Sequence, residues 1–143
     1  MPEVGEVTGR RYRCRACGAV VMVVPRGVAP RLRYRLGAVV GALGLWCHGH
    51  SAAEVRRRVS PFRVVGEEAR RGWRSLRRWT RRLAAGLGQS IVGRVRDHVE
   101  AVLQRLAAAS PMSTGVLLVD ALAGAAQLDA HRLCVAGGEA PTI

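Results

Sequence analysis

Glu67-Glu68-Ala69-Arg70-Arg71-Gly72-Trp73-Arg74-Ser75-Leu76-Arg77-Arg78-Trp79-Thr80-Arg81-Arg82-Leu83-Ala84-Ala85-Gly86 is the stretch whose pattern decides the fold. At 100° per residue, Trp73, Leu76, Thr80, Leu83, Ala84 and Leu87 fall within about 100° of a helical wheel. Arg70, Arg71, Arg74, Arg77, Arg78, Arg81 and Arg82 fill a separate arc of about 140°. A helix over residues 67–86 is predicted, one face packing into a core and another purely cationic. Glu67 and Glu68 would sit in its first turn, where the helix dipole favours acids. Gly86 and Gly88 end or bend it.

Working outward, two shorter helices precede this one. Leu36, Val39, Val40, Leu43, Trp46 and Cys47 span roughly 120° of a wheel, with Gly37, Gly41 and Gly44 gathered elsewhere, which predicts a glycine-weakened helix over 33–47. Ser51-Ala52-Ala53-Glu54 has the form of a capping box and starts a helix over 51–60, with Ala52, Val55 and Val59 inward and Arg56, Arg57 and Arg58 outward. Pro61 stops it, and residues 61–66 form a connection. Downstream, Ile91, Val92, Val95, Val99, Val102, Leu103 and Leu106 describe a stripe of about 120° on a helix over 90–109 that ends before Pro111. Ser113 to Leu128 reads as a weaker, more apolar helix, and the tail from Gly137 as disordered. At the N-terminal side, Cys14-Arg15-Ala16-Cys17-Gly18 forms a knuckle, followed by a strand over Ala19 to Val24 and a linker carrying Pro25, Gly27 and Pro30. The expected fold class is mainly α, a helix-turn-helix-like helical bundle with a small β-containing N-terminal zinc-knuckle remnant. Its expected divisions are residues 1–30, 31–88 and 89–143.

Charge points to the partner. All 23 basic residues are arginine, and 21 of them lie between Arg10 and Arg96, opposed there only by Glu54, Glu67 and Glu68. That stretch carries +18 within a chain of net +13. The absence of lysine, with the surplus of Ala, Gly, Arg and Val, fits a GC-rich genome, but coding bias does not confine arginine to one segment. Such a field attracts a polyanion, and counterions released from a phosphate backbone supply binding free energy without sequence reading. The expected partner is nucleic acid, duplex DNA first. The candidate contacts are Arg70, Arg71, Arg74, Arg77, Arg78, Arg81 and Arg82, with Ser75 for a phosphate or base.

Other classes are excluded or reduced by the same reading. The first nine residues carry Glu3 and Glu6 and no apolar run after a basic start, so no secretory signal is read. The longest apolar stretch, Leu36 to Cys47, is short of the ~20 residues a spanning helix needs. A soluble, cytoplasmic chain with no membrane partner is expected, in which four cysteines suit metal or free thiols better than disulfides. Cys14 and Cys17 are the candidate metal ligands, and zinc the metal they suit. Structural zinc takes four ligands; Cys47, His48 and His50 could complete a site, although Cys47 also lies on an apolar stripe. No catalytic spacing of carboxylates, no phosphate-cradling glycine motif and no nucleophile–histidine arrangement occurs, so neither catalysis nor a small-molecule substrate is expected.

Taken together, Arg11 to Gly18, a short strand, Pro25, a helix, Gly49-His50-Ser51-Ala52-Ala53-Glu54-Val55 and Ser75-Leu76-Arg77-Arg78-Trp79 resemble a bacterial layout over residues 10–85. It is that of the zinc-ribbon plus helix-turn-helix region of insertion-sequence transposases and related short proteins. The resemblance implies that Tyr12 to Gly18 is the second of two ribbon knuckles and that Ser75 to Trp79 lies on a recognition helix. No first knuckle stands upstream of Arg10, which implies either a coding start further upstream or a reduced ribbon. The connection from Pro61 to Gly66 is longer than a tight helix-turn-helix turn. The acidic triad of a transposase catalytic domain has no counterpart, so the resemblance implies a DNA-binding accessory protein or a fragment. The later helices would cover the basic module or form a homodimer seam. The alternatives are a helical module for RNA or an acidic protein, and a decayed transposase fragment without retained function.

Overall fold

A helix over Leu36–Cys47 (α1) is the hub of the structure, a computed structural model that describes Glu6 and residues 8–23, 34–62, 66–67 and 72–128. Around it stand α2 (Ala52–Val59), α3 (Arg74–Gly86), α4 (Val99–Ala107), preceded by a 3-10 turn at Val95–His98, and α5 (Leu117–Gln127). The strands β1 (Arg10–Arg13) and β2 (Val20–Val23) form an antiparallel hairpin. The fold is thus mainly helical with a small β element near the N-terminus, as the sequence predicts, and that element is a two-stranded antiparallel sheet.

The buried face of α1 is wider than its predicted stripe. Leu36, Val39, Val40, Leu43 and Trp46 are buried as expected, but Ala42 and Gly44 are buried too, and Cys47 is half-buried. The reason is geometric: α1 packs against α2, α3, α4 and α5, so several flanks are covered at once. Gly44, predicted to lie off the stripe, receives the Leu118 side chain of α5. One apolar cluster runs from Leu36 to Ala125.

Helix α2 forms where the capping box places it. The Ser51 hydroxyl accepts from the Glu54 backbone N–H at 3.2 Å, and Val55 is buried while Arg57 and Arg58 are exposed.

Helix α3 is shorter than predicted. Gly72 and Trp73 are not helical, so the continuous helix expected over 67–86 is interrupted and α3 begins at Arg74, leaving Glu67 outside its first turn. Glycine weakens a helix at that point, and the Trp73 indole is held by an aromatic cluster with Tyr34 and Trp79. The three ring pairs meet edge to face, with centroids 4.8 Å (Trp73–Trp79), 5.1 Å (Tyr34–Trp79) and 5.9 Å (Tyr34–Trp73) apart. Such pairs contribute about 0.5–1.5 kcal/mol each beyond their burial. The Tyr34 hydroxyl also donates to Ser60 Oγ at 3.1 Å, which joins the approach to α1, the end of α2 and the start of α3. Leu87 and Gly88 end α3: Gly88 takes φ +70°, and the Gln89 N–H reaches the Ala84 carbonyl at 2.8 Å.

The helix predicted over 90–109 also starts late. Gly93 adopts φ +84°, which no helix accommodates, so residues 89–94 are extended or bent and the regular helix begins at Val99. Val92, predicted on the inner stripe, is accordingly exposed, whereas Val95, Val99, Val102, Leu103 and Leu106 are buried. Before α5, predicted from Ser113, the chain wraps the Asp120 carboxylate instead: Thr114 donates from its backbone N–H at 2.8 Å and its hydroxyl at 2.7 Å, and Ser113 from its hydroxyl at 3.2 Å. The helix therefore starts at Leu117.

The Thr114 backbone N–H, then the Thr114 hydroxyl and the Ser113 hydroxyl, hold the Asp120 carboxyl below its ordinary range. A depressed folded-state value means that stabilisation is present above the unfolded value of about 3.9 and is lost as pH falls through the folded one. Denaturant melts of wild type and Asp120→Asn should therefore differ most near neutral pH, with the gap narrowing only as pH falls below about 3.9 and closing below the depressed folded-state value. A constant gap across that range would show that the carboxylate charge is not what these donors hold.

The predicted linker at residues 25–30 and the tail from Gly137 lie outside the described residues. No helix among those described is long and apolar enough to cross a membrane.

Candidate nucleic-acid interface

Helix α3 is a two-faced rod. Leu76, Trp79, Thr80, Leu83 and Ala84 are buried, and Thr80 disposes of its hydroxyl by donating to the Leu76 carbonyl at 2.9 Å. Arg74, Arg77, Arg78 and Arg81 are exposed, and Ser75 and Arg82 are half-buried at the margin. On a wheel the four exposed arginines occupy about 100°, and Arg82 widens the arc to about 140°. Arg70 and Arg71, the other two predicted contacts, lie outside the described residues. Trp79 belongs to the core rather than the cationic face. The resemblance places it on the recognition helix, but its ring is fully buried beside Tyr34 and Trp73.

These arginines differ from others that serve the fold. Arg58 donates to Glu54 Oε1 at 2.7 Å, and His50 lies 3.1 Å from the same oxygen. The His50 hydrogen bond, helped by Arg58 and Arg57, holds the Glu54 carboxyl below its ordinary range. Arg96 donates to the Trp46 carbonyl at 3.1 Å and lies 5.7 Å from the Trp46 ring centroid. Among the described residues, no carboxylate pairs with Arg74, Arg77, Arg78 or Arg81. Their spacing of three and four residues brings like charges to neighbouring positions, where each such pair costs roughly 0.2–0.5 kcal/mol. An anionic ligand would reverse that cost.

A second basic element is the hairpin. Arg10, Arg11 and Arg13 lie along β1, paired with Val23, Met22 and Val20, and Arg15 lies in the turn. β1 is not in the sequence reading, which places only one strand after the knuckle; three arginines in four residues mask its β pattern. All eight strand residues are exposed.

The turn carries both candidate metal ligands, Cys14 and Cys17. The Cys14 N–H reaches the Ala19 carbonyl at 2.8 Å, the Gly18 N–H reaches the Cys14 carbonyl at 3.0 Å, and Gly18 takes φ +72°. Backbone N–H groups of Cys17 and Ala16 donate to the Cys14 sulfur, with the Cys17 thiol also against it, and hold the Cys14 thiol below its ordinary range. Burial pushes the Cys47 thiol up instead, with the Glu100 carboxylate adding to the shift. Among the described residues, no three His, Cys, Asp or Glu side chains gather as a metal site. Cys134 lies outside the described residues.

The chain matches no protein-family model, no curated protein and no solved structure.

Proposed function

We propose that this protein binds duplex DNA through the guanidinium face of α3, in the manner of a transposase-like accessory DNA-binding module. The observation that carries the reading is the set of four exposed arginines on one side of a rod whose opposite side is fixed in the core. A helix of 13 residues is about 20 Å long, and the major groove of B-form DNA, about 12 Å wide, admits one such rod. The major groove of an A-form duplex is deep and narrow, which disfavours the same docking on double-stranded RNA. Residues 60–73 separate α2 from α3, far more than the three or four residues of a tight helix-turn-helix turn. Docking therefore rests on α3 and the aromatic cluster at its start rather than on a rigid α2–α3 pair.

The test is a titration of duplex DNA and of structured RNA over a salt series. If Arg74, Arg77, Arg78 and Arg81 each neutralise a phosphate, log K against log salt should fall with a slope of about −3.6, so affinity drops roughly a hundredfold between 50 and 200 mM salt. A flat salt dependence, or binding confined to RNA, would remove this function.

A further inference from the structure

We propose that two copies of this chain close one tetrahedral zinc site, Cys14 and Cys17 of each copy supplying two of the four thiolates. The turn at residues 14–19 is a finished half of such a site. Its two backbone hydrogen bonds and the positive φ of Gly18 fix the loop that carries Cys14 and Cys17, whose spacing lets one turn grip one side of a tetrahedral ion. Structural zinc takes four ligands in tetrahedral array. The described residues of one chain offer two at this place, and no cluster of three or more elsewhere. Cys47 is committed to the helical core. The simplest completion is the same half again, related by a two-fold axis, as in most closed homodimers.

Two further features favour a second copy as the occupant. Tyr12, Val20, Val21, Met22 and Val23 are each more than half exposed, so the hairpin has no apolar layer over it, and an isolated two-stranded hairpin is marginal in water. A second hairpin across the metal would cover part of that surface. Charge then makes association depend on the metal. Arg11, Arg13 and Arg15 flank the thiols of each copy and repel those of the other. Zinc held by four thiolates carries a formal charge of −2 and sits between them. The site stands independently of the DNA-binding reading, since it uses none of the α3 arginines.

The experiment uses the reduced full-length chain, freed of nucleic acid at high salt, titrated with Zn2+ and followed by sedimentation. Binding should saturate at one zinc per two chains with a twofold rise in mass, reversed by a chelator, and X-ray absorption should show four sulfurs at about 2.3 Å. Cys14→Ser with Cys17→Ser should abolish zinc uptake and the mass increase while leaving the helical circular dichroism intact. Cys134→Ser should change neither. One zinc per chain at unchanged mass, loss of binding in Cys134→Ser, no zinc uptake, or a dimer indifferent to chelator would each overturn the proposal.

Discussion

Gly124→Ala is expected to lower the melting temperature by about 10–20 °C, whereas Gly41→Ala raises it slightly. Both glycines lie in helices, and alanine is the better helix former by about 1 kcal/mol at either position. Their surroundings decide the sign. A methyl at Gly41 meets nothing within 4 Å, so the propensity gain is realised. A methyl at Gly124 lands on the Leu106 backbone carbonyl and close to the Ser110 N–H, at the end of α4. No side chain there can rotate away, and α4 and α5 have to separate. Overpacking costs about 1–3 kcal/mol where side chains can adjust, and a clash with backbone belongs at the upper end or beyond. For a cooperative core that runs from Leu36 to Ala125, 1 kcal/mol shifts the midpoint by roughly 4–8 °C. Gly44→Ala is the internal control: its methyl meets Leu118, a flexible side chain that can yield, so its cost should fall between the other two. Scanning calorimetry of the three variants checks the order, and equal melting temperatures for Gly124→Ala and Gly41→Ala would refute the close α4–α5 crossing.

The same contrast explains what the sequence could disclose. Leu76, Leu83 and Ala84 against Arg74, Arg77, Arg78 and Arg81 are legible because a helix with one buried side writes its period into the chain. Ser51 and Glu54 are legible because a cap is a local hydrogen-bond solution. Trp79 is not legible as core, since its burial depends on Tyr34, forty-five positions earlier, and on Trp73 turning out of the helix to meet it. Nor is the full width of α1, which four other helices cover. Gly72 and Gly93 fall inside apolar periodicities that continue past them, so the stripes do not announce that Gly93 takes φ +84° or that Gly72 lies outside a helix. At the knuckle, the spacing of Cys14 and Cys17 announces a turn, but the strand that enters it is disguised by Arg10, Arg11 and Arg13.

Replacing Arg74, Arg77 and Arg78 together by alanine is expected to weaken duplex DNA binding by about 10²–10³-fold at moderate salt and to reduce the salt slope by about 2.7. The fold should survive, because all three side chains are exposed and the face opposite them carries the packing. Removing adjacent like charges should even stabilise the free helix slightly. A melting temperature that is unchanged or raised, alongside the lost affinity, separates a binding role from a structural one. Exchange of the same three residues for lysine distinguishes the two ways a guanidinium can act. Lysine keeps the charge, so phosphate contacts and the salt slope persist, but it lacks the planar fork that meets the O6 and N7 edge of guanine. If the lysine variant retains both affinity and slope, α3 tracks the backbone and its binding is general. If the slope persists while preference among sequences disappears, the face reads bases. Should the alanine variant bind DNA as the wild type does, these three arginines are merely a solvated surface, and the exposed arginines of the hairpin are the next to replace.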